Sequence, residues 1–130
     1  TRPDQLSTLG IDYLMRSVTA LSKDYNDFAD LESGDHVEKI SPKMVGIVFT
    51  MIQEYGGVPI AAQRSFMAQL KRTNTAPIFQ NYIKRNDSVF ADAPVYGIPV
   101  VLNSYKNDSH QSVVDGLEGV ADDFSKIVGL

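Results

Sequence analysis

The stretch that decides the predicted fold is Met44-Val45-Gly46-Ile47-Val48-Phe49-Thr50-Met51. This run is almost entirely apolar and rich in β-branched side chains, which is typical of a strand buried on both faces of a parallel sheet. Residues 77–83 form a second run of the same character, and the residues between the two runs show helical spacing. Strand, helix and strand together predict a right-handed βαβ unit with parallel strands.

Two further helices are predicted outside this unit. The first has a face that we expect to be buried, made of Leu6, Leu9, Tyr13, Leu14, Val18 and Leu21, with Asp4 or Ser7 as its cap; the pattern fades after Ser22. The other predicted helix has an apolar stripe of Val113, Leu117, Val120, Ala121, Phe124, Ile127 and Val128, capped by Ser109 or Ser112. Residues 98–102 are expected to be extended.

Smaller signals mark the start of the middle helix. Gly56-Gly57 predicts a plain turn rather than an anion site, because no lysine accompanies it. Pro59 suits the first position of the helix that follows. Three helices against two strands leave apolar faces without partners, since a sheet covered on both faces normally has more strands.

The composition limits the classes of function. The chain has 130 residues, so 1–130 is treated as one domain, and its net charge of -4 with a pI near 5.0 argues against a dedicated nucleic-acid module. It has no cysteine, which removes thiolate chemistry, and no run of about 18 apolar residues. We expect a cytoplasmic protein without a membrane partner. His36 and His110 lack metal spacing, so no metal site is predicted.

The segment Lys84-Arg85-Asn86-Asp87 follows the second predicted strand, where open α/β sheets bind ligands. Asn86 offers both a donor and an acceptor, which suits the edge of a purine, and Arg85 can stack on a base or hold a phosphate. The same residues are also good turn formers. A ligand site and a solvent-facing turn therefore both remain open interpretations.

A basic surface is the other candidate site. Its members are Arg64, Lys71, Arg72 and Lys84, and if they share one face they can contact DNA phosphates. The alternative is that Lys71 and Arg72 only complement the negative end of their helix. The sequence contains no Gly-x-x-x-x-Gly-Lys-Ser/Thr loop, so no catalytic residue is assigned.

Several motifs resemble the ParA/Soj partition ATPases. Residues 83–86, Ile-Lys-Arg-Asn, followed by Phe90-Ala91-Asp92-Ala93-Pro94-Val95-Tyr96-Gly97-Ile98-Pro99-Val100, are similar to the family's late motif, Ile-Pro-Arg-Asn and Glu-Ala-Pro-Ser-Tyr-Gly-Lys-Pro-Val. Residues 46–51 are similar to its Gly-Val-Leu-Leu-Thr-Met strand, and Arg2-Pro3-Asp4 with Ser7 through Leu14 is similar to the segment after the strand that follows its Walker B region. Lys84, Asp92 and Ile98 depart from the family pattern.

The resemblance implies that the chain is the C-terminal portion of an α/β, parallel-sheet P-loop fold with a deviant Walker A loop, incomplete without its N-terminal half. The parent would bind ATP and Mg²⁺, dimerise and hydrolyse ATP, whereas this fragment alone would be inactive and would not bind ATP tightly. The residues carried over to the base side of ATP are Thr50, Met51, Arg85, Asn86, Asp87 and Pro94. Arg64, Lys71, Arg72 and Lys84 are carried over as the DNA face.

The implied function is partition of plasmids or chromosomes, or positioning of another cargo. The implied partners are the missing N-terminal half, a second copy in a homodimer, nonspecific DNA and a ParB-like protein. An alternative hypothesis is an interaction or dimerisation module that does not use a nucleotide. In either case the uncovered apolar surface predicts self-association or exchange of elements between copies.

Overall fold

The computed structural model describes residues 1–31, 37–73, 76–104 and 110–130, without the side chains of 92–96 and 103–104. The elements in chain order are helix α1 (Gln5–Leu31), strands β1 (Glu54–Tyr55) and β2 (Val58–Pro59), and helices α2 (Ala61–Thr73), α3 (Asp87–Tyr96), α4 (Val100–Ser104) and α5 (Gln111–Val128). His36 and Ser109 lie outside the described residues.

The predicted parallel-sheet P-loop fold is wrong. Within the described ranges the chain is mostly helical, and the only sheet is the antiparallel pair β1 and β2. The two predicted strands, 44–51 and 77–83, do not form a continuous ladder. They are extended segments that meet at two isolated parallel bridges, Ile47 with Ile78 and Ile52 with Lys84.

The spacing of these two bridges explains why no parallel sheet forms. They are five residues apart in the first segment and six in the second, so the second segment contains one extra residue, as in a β-bulge. Ile83 N donates to Phe49 O at 2.9 Å, and Asn81 N donates instead to a side chain of α5. Thr1 lies along the first segment, where its amino group donates to Val48 O and Thr50 N donates to Thr1 O.

Helix α1 begins where the sequence predicts and ends later. Asp4 Oδ1 accepts a hydrogen bond from Ser7 N at 2.8 Å, which confirms Asp4 as the cap and lowers the pKa of its carboxyl group. The helix continues past Ser22 to Leu31. The expected burial of its apolar face is wrong, because Ile11 is its buried residue and the predicted face is exposed.

The turn between β1 and β2 is confirmed. Gly56 and Gly57 adopt φ values of 61° and 79°, the left-handed conformation that a two-residue hairpin turn requires. Pro59 belongs to β2, so its predicted place at a helix start is wrong; α2 begins at Ala61. Gln63 connects α2 to the residue before the hairpin, because its side-chain oxygen accepts a hydrogen bond from Gln53 N at 2.8 Å.

The carboxyl-terminal part departs further from the prediction. Residues 98–102 are not extended, since α4 starts at Val100. Ser112 does not cap α5, because it lies inside the helix and His110 occupies the cap position without a side-chain hydrogen bond. Helix α5 buries Val113, Val114 and Asp123, whereas the predicted stripe residues Phe124, Ile127 and Val128 are largely exposed.

The core lies between the first extended segment and two helices. Its buried members are Ile47, Phe49 and Ile52 from the segment, with Ile11 of α1 and Leu70 of α2. Partly buried Met15, Met44, Met67, Ala76, Ile78 and Tyr82 pack around them. The core therefore fixes the segment that leads to the candidate site.

Candidate functional site

The two extended segments end side by side. Ile52 pairs with Lys84 in a parallel bridge, and Arg85 N donates to Ile52 O at 2.8 Å. This pairing brings together the chain around Thr50 and Met51 and the chain around Arg85 and Asn86, which the sequence places in one site. Thr50 is partly buried, and its N–H donates to Thr1 O, so its backbone is held in place where the first extended segment ends.

Met51 has an unusual backbone conformation. Its φ is 59°, in the left-handed region that non-glycine residues rarely adopt, and its side chain is 41% exposed. Gln63 Nε2 donates to Met51 O at 3.2 Å and helps to hold this conformation. Backbone strain of this kind costs about 1–3 kcal/mol and concentrates at functional sites. Met51 therefore offers an apolar side chain on a fixed backbone at the edge of the two segments.

Asn86 is the cap of α3. Its backbone is extended, and its Oδ1 accepts hydrogen bonds from Val89 N at 3.2 Å and from Ser88 Oγ at 2.8 Å. Because its oxygen serves the helix, the group that remains for a ligand is Nδ2, which has no acceptor among the described residues. Asn86 is thus a donor aimed from the start of a ten-residue helix, where the N–H dipoles favour an acceptor.

Arg85 and Asp87 form an ion pair on the surface. Arg85 Nε lies 2.9 Å from Asp87 Oδ1, and the second bond, from a terminal guanidinium nitrogen to Oδ2, is 2.7 Å. The hydrogen bond and charge of each partner raise the pKa of Arg85 and lower that of Asp87. Because both side chains are well exposed, the pair contributes little stability. The pair places the guanidinium group against the Asp87 carboxylate, next to Asn86 in the chain.

Glu54 of β1 joins two residues of the second segment. Tyr82 Oη donates to Glu54 Oε1 at 2.7 Å, and Lys84 Nζ lies 2.9 Å from Glu54 Oε2. Burial alone would raise the pKa of Glu54, but the hydrogen bonds from Tyr82 and Lys84 and the charge of Lys84 outweigh it and lower the pKa. Burial, the hydrogen bond and the charge of Glu54 raise the pKa of Tyr82 to about 12.

Glu54→Gln is expected to lower the pKa of Tyr82 from about 12 toward its ordinary value of 10.0, because the charge that opposes the phenolate is lost. The protonated phenol stabilises the folded chain below pH 10, and this contribution is lost as the pH rises through the folded pKa. A pH titration of tyrosine absorbance measures the shift, with Tyr82→Phe identifying this tyrosine among the six and Glu38→Gln as an exposed control. An unchanged pKa in Glu54→Gln would contradict the contact.

The predicted DNA-face residues separate into two groups. Arg64, Lys71 and Arg72 are exposed on α2, a helix that contains no acidic residue. Lys84 lies elsewhere, in the second extended segment, and its charge is balanced by Glu54. The structure therefore groups three of the four cations. Lys71 and Arg72 stand in the last turn of α2, so the interpretation that they complement the helix end also stays open.

Pro94 lies in α3, but its side chain is outside the described residues, so its predicted contact with a base stays a prediction.

Asp123 of α5 is a buried residue that the sequence analysis does not predict. It is 6% exposed, and its Oδ2 accepts from Asn81 N at 2.7 Å, so α5 satisfies the N–H that the bulge leaves unpaired. The available signal is an acidic residue between Val120 and Ile127, which both belong to the apolar stripe of the predicted helix.

No group of three metal-ligating side chains occurs in the described residues, and no helix there combines the length and apolarity needed to cross a membrane. Comparisons with protein-family models, curated proteins and solved structures find no match to the chain.

Proposed function

We propose that the chain is part of a ParA-like, ATP-binding and dimerising ATPase that partitions DNA or positions another cargo in the cytoplasm. The observation that carries the proposal is the meeting of the two extended segments at Ile52 and Lys84. It brings the segment that contains the motif residues Thr50 and Met51 next to the segment that leads into Arg85 and Asn86, which are 34 or more residues away in the sequence. The family resemblance assigns these same four residues to one base-side site.

The proposed role of this edge is recognition of the base. Asn86 Nδ2 suits an acceptor nitrogen of adenine, the exposed guanidinium of Arg85 is a group that can stack on a base, and Met51 supplies apolar surface. The resemblance assigns the phosphates and the Mg²⁺ to the parent's N-terminal half. There a loop and Mg²⁺ would hold the phosphates while an oriented water attacks.

The exposed cations of α2 support a DNA-binding role in the same parent. Arg64, Lys71 and Arg72 give this helix three positive charges and no negative charge. Such a surface contacts phosphates without reading sequence, and its affinity falls as salt concentration rises. Lys84 is left out of this face because of its ion pair with Glu54.

A second candidate function has its own support. The apolar face of α1 is exposed, and Lys84 and Arg85 are each paired with a carboxylate. Both observations fit an interaction or dimerisation module that does not use a nucleotide. Nucleotide binding by the parent distinguishes the two candidates.

The test begins with the reading frame upstream of Thr1. A Gly-Lys-Gly-Gly-x-Gly-Lys-Ser/Thr-like loop is expected there, and its absence would overturn the ATPase proposal. Calorimetry with ATP and Mg²⁺ on the parent should then give saturable binding, whereas the 130-residue chain alone should give none that is tight. Saturable binding by the parent would rule out the second candidate.

Asn86→Asp and Asn86→Ala separate base recognition from capping. Aspartate keeps the oxygen that caps α3 and loses the Nδ2 donor, so stability is retained while ATP binding by the parent falls about tenfold or more. Alanine loses both, and the free energy of unfolding should also fall by about 1 kcal/mol. Calorimetry measures binding and urea denaturation measures stability. Full ATP affinity in Asn86→Asp would remove Asn86 from the base site.

A further inference from the structure

The largest unexplained feature is an exposed apolar face on α1. We define the α1 face as Leu14, Val18, Leu21, Tyr25 and Phe28. All five side chains are exposed, from 38% at Val18 to 69% at Leu21. Further exposed apolar residues on the same helix are Leu6, Leu9, Tyr13 and Leu31. Scattered apolar residues are normal on surfaces, but a continuous patch of this length marks an interaction site.

The spacing of the α1 face is that of a coiled-coil seam. Steps of four, three, four and three residues separate its members, which is the a/d pattern of the heptad repeat. Val18 and Tyr25 take the a positions, and Leu14, Leu21 and Phe28 take the d positions. Around Val18, Val at a with Leu at d is the combination that favours two-stranded association. Ile11, one step earlier, is buried in the chain's own core, so the free seam starts at Leu14.

Area and charge both suit a second copy of the chain. The five side chains of the α1 face, at on the order of 100 Å² each, offer about 500 Å² per partner, which gives roughly the 1,000 Å² in total that a specific interface needs. The flanking e and g positions are Met15, Ser22, Ala29, Ser17, Asp24 and Leu31, among which only Asp24 is charged. Two identical faces can therefore meet with little repulsion, although the chain carries a net charge of -4.

A cavity beside the face provides a place for a side chain from the partner. It has a volume of about 230 Å³ and lies between Leu14, Met15, Val18 and Thr19 of α1 and residues 42–44. A cavity of ~150 Å³ already holds a benzene ring, so one aromatic or leucine side chain fits here. Because the cavity borders the seam itself, a knob from an opposing α1 would enter it.

We propose that the α1 face binds the α1 face of a second copy of this chain, giving a two-fold dimer with Leu21 near its axis. Such an interface is self-complementary, since the same residues lie on both sides. The proposal does not depend on ATP binding: the contact uses none of the residues of the candidate nucleotide site. It identifies a surface for dimerisation that the candidate nucleotide site does not provide.

Sedimentation equilibrium of the 130-residue chain tests the proposal. The chain should dimerise at micromolar concentration, and Leu21→Glu should weaken the dimer roughly 100-fold or more, because a carboxylate would be buried without a partner. Ala20→Glu adds the same charge at the neighbouring exposed position outside the seam and should change dimerisation less than about threefold. Circular dichroism checks that both variants fold, which is expected because neither position is buried.

Cysteine cross-linking gives a second measurement that does not rely on a loss of binding. The natural chain has no cysteine, so a single substitution reports one contact. Leu21→Cys should form a disulfide-linked dimer under mild oxidation, whereas Arg16→Cys, exposed on another side of α1, should not. Leu14→Cys cross-links in a parallel pair and not in an antiparallel one. A monomeric chain, or equal dimerisation by the wild type and Leu21→Glu, would overturn the proposal.

Discussion

Replacing Asp123 with alanine is expected to lower the free energy of unfolding by about 2 kcal/mol. The Asp123 carboxylate is buried and accepts from Asn81 N at 2.7 Å. Without it, the partly buried N–H of Asn81 at the bulge loses its acceptor, and a hydrogen bond to a charged group contributes more than an ordinary one. Urea denaturation of the variant and the wild type measures the loss.

Two matched variants show whether the carboxylate or the helix is responsible. Asp122→Ala changes the neighbouring exposed aspartate and should alter stability by less than about 0.5 kcal/mol. Asp123→Asn keeps an acceptor oxygen without the charge, so about half of the loss is expected. If Asp122→Ala is as damaging as Asp123→Ala, the effect comes from α5 and not from the contact with Asn81.

The pH dependence of stability provides an independent check. The hydrogen bond from Asn81 N lowers the pKa of Asp123 below its ordinary value of 3.8, with burial opposing. A lowered pKa means that the carboxylate stabilises the folded chain above pH 3.8, and that this contribution is lost as the pH falls through the folded pKa. The gap in stability between the wild type and Asp123→Asn should therefore close at acidic pH.

Asp123 also connects stability to the candidate site. In an extended segment, a shift of one residue moves every side chain to the opposite face. The bulge next to Asn81 therefore determines the face on which Tyr82, Lys84 and Arg85 lie. If Asp123→Ala releases the bulge, Tyr82 loses its contact with Glu54 and its pKa falls from about 12 toward 10.0. A destabilised variant with an unchanged Tyr82 pKa would show that Asp123 has a purely structural role.

The predictable part of the fold follows from local patterns. The apolar run at 44–51 predicts an extended buried segment, and its Ile47, Phe49 and Ile52 neighbourhood forms the core. Asp4 predicts a helix cap and Gly56-Gly57 predicts a turn, because both depend on the chemistry of one or two residues. The bridges show that even the relative direction of the two segments follows from the strand, helix and strand order.

The rest depends on contacts between distant residues. The extra residue near Asn81 cannot be inferred from an apolar pattern, because it is defined by pairing with residues 47–52 and by Asp123, 42 residues later. Likewise, the three-and-four spacing in α1 predicts an apolar face but not what covers it; the structure leaves that face exposed. Periodicity indicates which residues share a surface, whereas burial requires a partner.

The sequence predicts which residues lie at the candidate site better than it predicts what each side chain does there. Arg85 and Asn86 do lie at the ends of the extended segments. Their partners change the chemistry, however, because the Asn86 oxygen caps α3 and the Arg85 guanidinium is held by Asp87. Lys84 shows the same effect, since Glu54 of an unpredicted strand balances its charge. The side-chain groups that remain free for a ligand are known only once the hydrogen bonds to neighbouring residues are known.

Gly46→Ala is expected to lower the free energy of unfolding by about 3 kcal/mol, at the upper end of the cost of overpacking. A Cβ at Gly46 would lie 2.5 Å from Cε1 of Phe79 and 3.1 Å from the backbone oxygen of Pro77. Phe79 is only 7% exposed, so its ring has little room to move away. The carbonyl of Pro77 is also fixed, because it accepts from Ile47 N at 2.8 Å.

The same substitution at Gly10 is the matched control. No atom lies within 4 Å of a Cβ at Gly10, which is exposed inside α1, so Gly10→Ala should stabilise the chain by about 0.5–1 kcal/mol through helix propensity. Urea denaturation should therefore give effects of opposite sign for two identical substitutions. Equal effects would mean that the first extended segment can separate from Phe79, and the parallel bridge between Ile47 and Ile78 would then have to be weaker than its geometry indicates.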